Sequence, residues 1–152
     1  MPRLRMFWIA LLPLTLLSGC RKSAQNQSHE ALVKEAIVSM RNTASALNGV
    51  TDAASAARAI EVLQRESQNL QSLRKRLADL GTATGLIRGR VKQHSQDMIA
   101  ATQQMTQASA TVVGKIQAGQ FPPDLAQRLA KASMDYGQSM VDFSEQAVPL
   151  FE

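Results

Sequence analysis

Apolar residues recur every three or four positions along most of the chain, which is the spacing of one face of an α-helix. In the first such segment the apolar positions are Val33, Ile37, Met40, Ala44 and Leu47. Ser28 lies just before the segment, where a serine caps a helix N-terminus, and Asn48-Gly49 lies just after it. The pattern therefore predicts a first helix that begins near Ser28 and ends at Asn48-Gly49.

Three further segments repeat this pattern. The second follows Thr51-Asp52 as an N-cap, has apolar positions from 56 to 80, and stops at Gly81. The third has apolar positions from 87 to 116 and stops at Gly119. The fourth opens at the second proline of Phe121-Pro122-Pro123-Asp124 and has apolar positions from 125 to 147. Each segment predicts one amphipathic helix.

The fold class predicted from these segments is all-α. No segment alternates between apolar and polar residues as a strand would, and four amphipathic helices with short connections pack as an up-down-up-down four-helix bundle over residues 28–152. Gly89 and Gly137 are the predicted places for a kink. A three-helix coil with a loosely docked first helix is the alternative architecture.

A different pattern precedes the helices. Arg3 and Arg5 are followed by an apolar run that begins at Met6 and reaches Leu17, interrupted by Pro13. A helix that spans a bilayer needs about 20 apolar residues, and this run is shorter. Residues 1–19 are therefore predicted to be a cleaved signal peptide rather than a permanent span.

The run closes on Leu17-Ser18-Gly19-Cys20, and Cys20 is the one cysteine of the chain. This motif resembles the lipobox of bacterial lipoproteins. The resemblance implies that Cys20 carries the acyl chains, palmitate among them, and becomes the first residue of a membrane-anchored protein. Residues 20–27 would be the lipidated cysteine and a polar tether. Arg21 in place of aspartate favours the periplasmic face of the outer membrane, if the cell is Gram-negative. An ordinary secretory signal with a coincidental cysteine is the alternative.

Composition narrows the function of the helical part. Positive residues outnumber negative ones by five in the whole chain, and by three without Arg3 and Arg5. No motif of a catalytic nucleophile, phosphate loop or zinc site is present, which indicates that the protein is not an enzyme. Aromatic residues are too few to stack on bases, which argues against nucleic acid as a partner. Methionines at helical spacing indicate core filling.

One end of the predicted bundle gathers positive charge. If the first helix leaves the membrane and the second returns, the connection between the second and third helices faces the bilayer. A membrane-facing basic patch is therefore predicted there, because each cation near an anionic surface contributes about 1 kcal/mol. Its residues are Arg74, Lys75, Arg76, Arg88, Arg90 and Lys92. The alternative is that these cations pair with Asp142, Glu145 and Glu152, since the end of the fourth helix returns to the same end of the bundle.

A polar layer is predicted inside the bundle. Met40, Ser67, His94 and Tyr136 occupy apolar-face positions at nearly the same height, and we expect His94 and Tyr136 to satisfy each other's hydrogen bonds. With Met40 and the Thr51-Asp52-Ala53-Ala54 helix entry, the pattern loosely resembles the periplasmic four-helix-bundle cytochromes, which hold haem between helices. Their axial histidine on the fourth helix and their Cys-x-x-Cys-His motif are missing, so no cofactor is predicted.

The function predicted from the sequence is that of a membrane-anchored lipoprotein. Its non-catalytic helical domain would serve as a structural, adaptor or sensing module of the cell envelope. The alternative is a helical bundle that binds a small ligand or haem. The glutamine-rich third segment is either a solvated surface or a contact for a partner helix, and the sequence leaves both open.

Overall fold

The computed structural model describes residues 28–152, and 85% of this part is helical, with no strand in it. The predicted signal peptide, Cys20 and the tether lie outside the described residues. Five α-helices follow one another along the chain: α1 (His29–Asn48), α2 (Ala53–Asp79), α3 (Gly85–Lys92), α4 (Ser95–Gln117) and α5 (Pro123–Ala147). A short 3₁₀ turn, Val148–Leu150, follows α5. The all-α fold class is confirmed.

Local side-chain chemistry fixes where the helices begin. Ser28 Oγ accepts a hydrogen bond of 3.1 Å from the Ala31 amide at the start of α1. Asp52 accepts one of 2.7 Å from the Ser55 amide, and Ser55 Oγ accepts from the Asp52 amide in return. The two pairs satisfy amides that a helix start otherwise leaves without partners. Pro123 opens α5, since its missing amide costs nothing at a first helical position.

Two glycines reverse the chain where the sequence predicts helix ends. Gly81 after α2 has φ of 69°, and Gly119 after α4 has φ of 68°. This left-handed conformation is costly for a residue with a Cβ atom, which explains why glycine occupies both positions. The chain is thus turned sharply at both places, and each turn starts a new helix within a few residues.

Helix α1 is the central element, because it packs against α2 on one side and against α4 on the other. Helices α1 and α4 run in the same direction. Their first turns are joined by Glu30 and His94, whereas near their last turns Lys115 Nζ donates to the Val50 carbonyl. Helix α4 therefore lies along α1, and not along α2, the long helix that precedes it.

Helix α5 packs along α2, which is its most extensive contact. These two helices also run in the same direction, because Ser67 bonds Ser139 while Arg74, farther along α2, pairs with Asp142, farther along α5. Helices α4 and α5 approach each other at few positions. One flank of the molecule is consequently more open than the other three.

The sequence predicts one continuous third helix, and this prediction is wrong. The structure divides it into α3 and α4 at Gln93 and His94, whose amides bond the carbonyls of Arg90 and Val91 three residues back instead of four. The tighter turn ends α3, which packs on α1 and on the 3₁₀ turn. The break lies one turn after Gly89, whereas α5 continues unbroken through Gly137.

The core is contributed mostly by α1, α2 and α5. The largest fully buried side chains include Leu32, Leu63, Leu70, Leu129 and Phe143. Val91 on α3 and Ala101, Met105, Ala108 and Val112 on α4 complete it. The apolar faces predicted for the four segments are therefore the buried faces of the structure.

Candidate functional site at the α3 end

The α3 end of the molecule is held together by the first residue of α1 and the turn after α2. His29 is buried, and its Nε2 lies 3.0 Å from the Gly81 carbonyl oxygen. Ala83 and Val91 anchor the following segment in the core. Residue 28, at the edge of the described part, therefore lies at the same end of the molecule as α3.

All six residues of the predicted basic patch are on the last turns of α2 or on α3. Three of them have partners, each on another element. Arg76 makes a bidentate pair with Glu35 at 2.9 and 3.2 Å, and Arg74 lies 3.5 Å from Asp142. Lys92 Nζ donates to the Glu152 carbonyl at 2.6 Å. These contacts tie α2 to α1 and α5, and α3 to the last residue.

The other three cations, Lys75, Arg88 and Arg90, are exposed and have no ion pair within residues 28–152. The positive field at this end is therefore carried by three of the six predicted residues, and not by the six together.

Exposed apolar side chains lie beside these cations, and the sequence prediction missed them. Leu86 on α3 is 71% exposed, and Val148 in the 3₁₀ turn is 50% exposed. Between α2, α3 and the 3₁₀ turn is a cleft of about 310 Å³. It is lined by residues that include His29, Leu77, Arg88, Gln146, Pro149 and Leu150. The sequence could have indicated that Leu86 is exposed, because Leu86 is not on the predicted apolar face and precedes Arg88 and Arg90 closely.

His94 does not join the predicted polar layer. Its Nε2 lies 3.2 Å from Glu30 Oε1, in the first turn of α1. The hydrogen bonds that Glu30 accepts from Lys34 and His94 hold the pKa of that carboxyl below its ordinary value. The predicted hydrogen bond between His94 and Tyr136 is wrong, because the helix break at Gln93 carries His94 to the α3 end.

The remaining layer residues stay in the interior, but they are not one hydrogen-bonded group. Met40 Sδ is approached by Thr102 Oγ1 at 3.7 Å. Ser67 bonds Ser139 at 2.8 Å between α2 and α5. Tyr136 is 1% exposed, and within residues 28–152 its hydroxyl lies close to those of Ser39 and Thr43 without forming a hydrogen bond of normal geometry. Met40, Ser67 and Tyr136 are thus all buried, but they are not hydrogen-bonded to one another.

A buried carboxylate that the sequence prediction missed lies near Tyr136. Glu66 on α2 is 5% exposed, and Oε1 accepts from Arg65 at 3.0 Å and from Asn42 at 3.4 Å. Burial raises the pKa of Glu66, but hydrogen bonds from Arg65, Asn69 and Asn42 outweigh it, so the pKa lies below its ordinary value. Burial raises the pKa of Tyr136. The sequence did not indicate that Glu66 is buried, because α2 carries many other polar residues around it.

No three histidine, cysteine, aspartate or glutamate side chains between residues 28 and 152 come together as metal ligands. No helix in that part is both long and apolar enough to cross a bilayer. Comparisons of the chain with protein families, curated proteins and solved structures found no match. The α3 end, with its cations and exposed apolar residues, is therefore the candidate site.

Proposed function

We propose that the protein is a bacterial lipoprotein, anchored through acyl chains on Cys20. Its helical domain is a non-catalytic structural, adaptor or sensing module on the extracytoplasmic side of a membrane. In a Gram-negative cell this is the periplasmic face of the outer membrane. The four long helices, α1, α2, α4 and α5, form an up-down-up-down bundle in which α3 crosses one end.

The Leu17-Ser18-Gly19-Cys20 motif supports the anchor in this proposal, and the position of the first described residue supports the orientation. A tether of residues 21–27 reaches at most about 24 Å at roughly 3.4 Å per residue. It joins α1 at His29, and His29 contacts the turn that leads into α3. The α3 end therefore stays near the bilayer, while the end that holds Val50 and Gln120 points away.

The chemistry of the α3 end fits such a surface. Lys75, Arg88 and Arg90 attract anionic headgroups, and each contributes about 1 kcal/mol near the surface. Leu86 can enter the boundary between headgroups and acyl chains, as apolar side chains of interfacial helices do. The patch is weaker than the sequence predicts, because three of its six cations are engaged in internal contacts.

Cys20→Ala tests the anchor. We expect mass spectrometry to find Cys20 acylated in protein from membranes, and we expect the variant to remain an unprocessed precursor. Ser23→Ala in the tether is the matched control, and it should be processed and acylated as the unchanged protein is. An unmodified Cys20 in membrane-extracted protein would refute the proposal.

Depth-dependent quenching tests the orientation. A fluorophore on Leu86→Cys should be quenched by lipid-borne quenchers when the full chain is reconstituted in vesicles. A fluorophore on Gln120→Cys, at the opposite end, should not be quenched. Equal quenching of both probes would contradict the orientation. Arg88→Glu with Arg90→Glu should reduce quenching at residue 86 in anionic vesicles, whereas Arg58→Glu with Arg128→Glu, at the other end, should not.

No observation favours the alternative of a haem-binding or small-ligand bundle over this function. His94 Nε2, the ring nitrogen that a haem iron would need, is directed to Glu30. The interior between α1, α2 and α5 is occupied by Tyr136, Phe143 and leucine side chains.

A further inference from the structure

Helix α4 exposes two large apolar side chains on one face, with a threonine between them. Ile99 is 49% exposed and Val113 is 46% exposed, and Thr106 lies midway between them, seven residues from each. Residues seven apart recur on the same face of a helix. These three β-branched residues, with Gln103 and Ala110 between them, form an exposed seam that is separate from the buried face of α4.

The seam also contains no charged residue. Asp97 and Lys115 are the charged residues of α4, and the 17 residues between them carry none. Exposed faces of soluble helices ordinarily carry charges, and α2 and α5 do so along their whole length. An uncharged exposed face with β-branched residues at seven-residue spacing, two of them apolar, is a feature of a helix that packs against another helix.

The rest of the molecule leaves this face uncovered. Helix α4 packs on α1, and it approaches α5 at few positions. On α5, Met134 and Val141 are also seven residues apart, and they are 68% and 48% exposed. Helices α4 and α5 thus contribute four of the seven large apolar side chains that the described part exposes.

We propose that the α4 seam binds the α4 seam of a second copy of the chain. In a two-fold contact, residues near the axis meet their own copies, so charged residues there would repel each other. Glutamine and threonine side chains both donate and accept hydrogen bonds, so each can pair with itself. Of the described helices α1, α2, α4 and α5, α4 is the one that has no charged residue along the middle of its exposed face. A charged partner would find no complementary charge on it.

The two α4 helices run in the same direction. Both copies are held at one bilayer through short tethers and present their α3 ends to it, so a two-fold axis must stand along the helices. The parallel direction rests on the proposed anchoring, whereas the contact between the seams does not. In this arrangement Ile99, Thr106 and Val113 each meet their own counterparts.

Charge substitution at Thr106 tests the contact. Two full-length copies with different affinity tags are co-expressed, extracted in mild detergent and recovered through one tag. The unchanged pair should be recovered together. Thr106→Glu in both copies, or Thr106→Lys in both, should reduce recovery of the second copy more than about tenfold, because like charges meet at the axis. One copy with Thr106→Glu and one with Thr106→Lys should restore it.

Thr111 is the matched control. Both threonines are exposed on α4 and donate to the carbonyl four residues back, Thr106 to Thr102 at 2.9 Å and Thr111 to Gln107 at 3.0 Å. Thr111 lies off the seam, so Thr111→Glu in both copies should leave recovery unchanged. Copies that merely share a detergent micelle would be recovered regardless of charge, which would overturn the proposal. Failure of the unchanged copies to be recovered together would also overturn it.

Crosslinking gives the direction. Ile99→Cys in both copies should form a crosslinked dimer, whereas Ile99→Cys in one copy with Val113→Cys in the other should not. The reverse result would overturn the parallel arrangement. Membrane fractionation of the same samples reports on the anchor separately, so a failed dimer and a failed anchor give different results.

Discussion

Helices α2 and α4 are both long, with 27 and 23 residues, but they differ in how much they bury. Helix α2 buries ten residues between α1 and α5 and presents a charged face to solvent, whereas α4 buries four and presents an uncharged face. In α2 the apolar and exposed faces are sharply divided. In α4 the division is weak, because Ile99 and Val113 lie outside the buried stripe.

This difference separates two roles within one domain. The contacts of α2 hold the fold, since buried apolar area is the main favourable contribution to folding. The exposed seam of α4 adds little to the folding of a single copy. Substitutions on the two helices should therefore differ in which property they change, and not merely in the size of the change.

The largest expected effect is on α2. Ile60 is 2% exposed, so Ile60→Ala should lower the free energy of unfolding by about 2–5 kcal/mol through lost burial and a cavity. Urea unfolding followed by circular dichroism measures this. A loss below about 1 kcal/mol, well under that range, would show that α2 is packed less tightly than its burial indicates.

Two buried hydroxyl groups of α5, those of Tyr136 and Ser139, should give smaller effects of opposite sign. Tyr136→Phe removes a buried hydroxyl without a partner and should raise the free energy of unfolding by about 1 kcal/mol. Ser139→Ala should lower it by about 1 kcal/mol, because Ser139 bonds Ser67 at 2.8 Å and Gln71 at 3.2 Å. The same unfolding measurement serves both, and a loss of stability in Tyr136→Phe would mean that the hydroxyl has a partner.

A pH dependence should distinguish Glu66 on α2. Its pKa is lower in the folded state than in the unfolded chain, so its contribution is present above the unfolded pKa and is lost as pH falls through the folded pKa. Glu66→Gln should therefore reduce stability near neutral pH and approach the unchanged protein in acid. Glu61→Gln, on the exposed face of the same helix, is the control, and equal pH profiles for both variants would contradict this expectation.

The sequence predicted α2 better than α4 for identifiable reasons. Ser28, Asp52, Gly81, Gly119 and Pro123 act through local chemistry, so the helix ends they mark were predictable. The division at Gln93 was not, because a change from four-residue to three-residue hydrogen bonding leaves no compositional mark. As a result, His94 lies beside Glu30 and not in the interior, where it was predicted.

Contacts between distant elements were predictable only in part. Asp142 was among the carboxylates named as alternative partners of the basic patch, and it pairs with Arg74. The pair Arg76–Glu35 was not predicted, because it depends on how α1 and α2 are aligned. The six basic residues lie at one end, and three of them, Arg74, Arg76 and Lys92, contact other parts of the chain there. The burial of Glu66 likewise follows from the packing of α1 and α5 around α2, and not from its own neighbours in the chain.

The smallest expected effect on folding is at Ile99. The side chain is the same as that of Ile60, but it is half-exposed, so Ile99→Ala should change the free energy of unfolding by no more than about 0.5 kcal/mol. The measurement is urea unfolding at protein concentrations low enough to separate copies. Under the proposed pairing of α4 seams, the same variant should weaken association of tagged copies, because each seam loses an apolar side chain. A loss of about 2 kcal/mol or more on dilution, as large as that of a buried residue, would instead mean that Ile99 belongs to the core of a single copy.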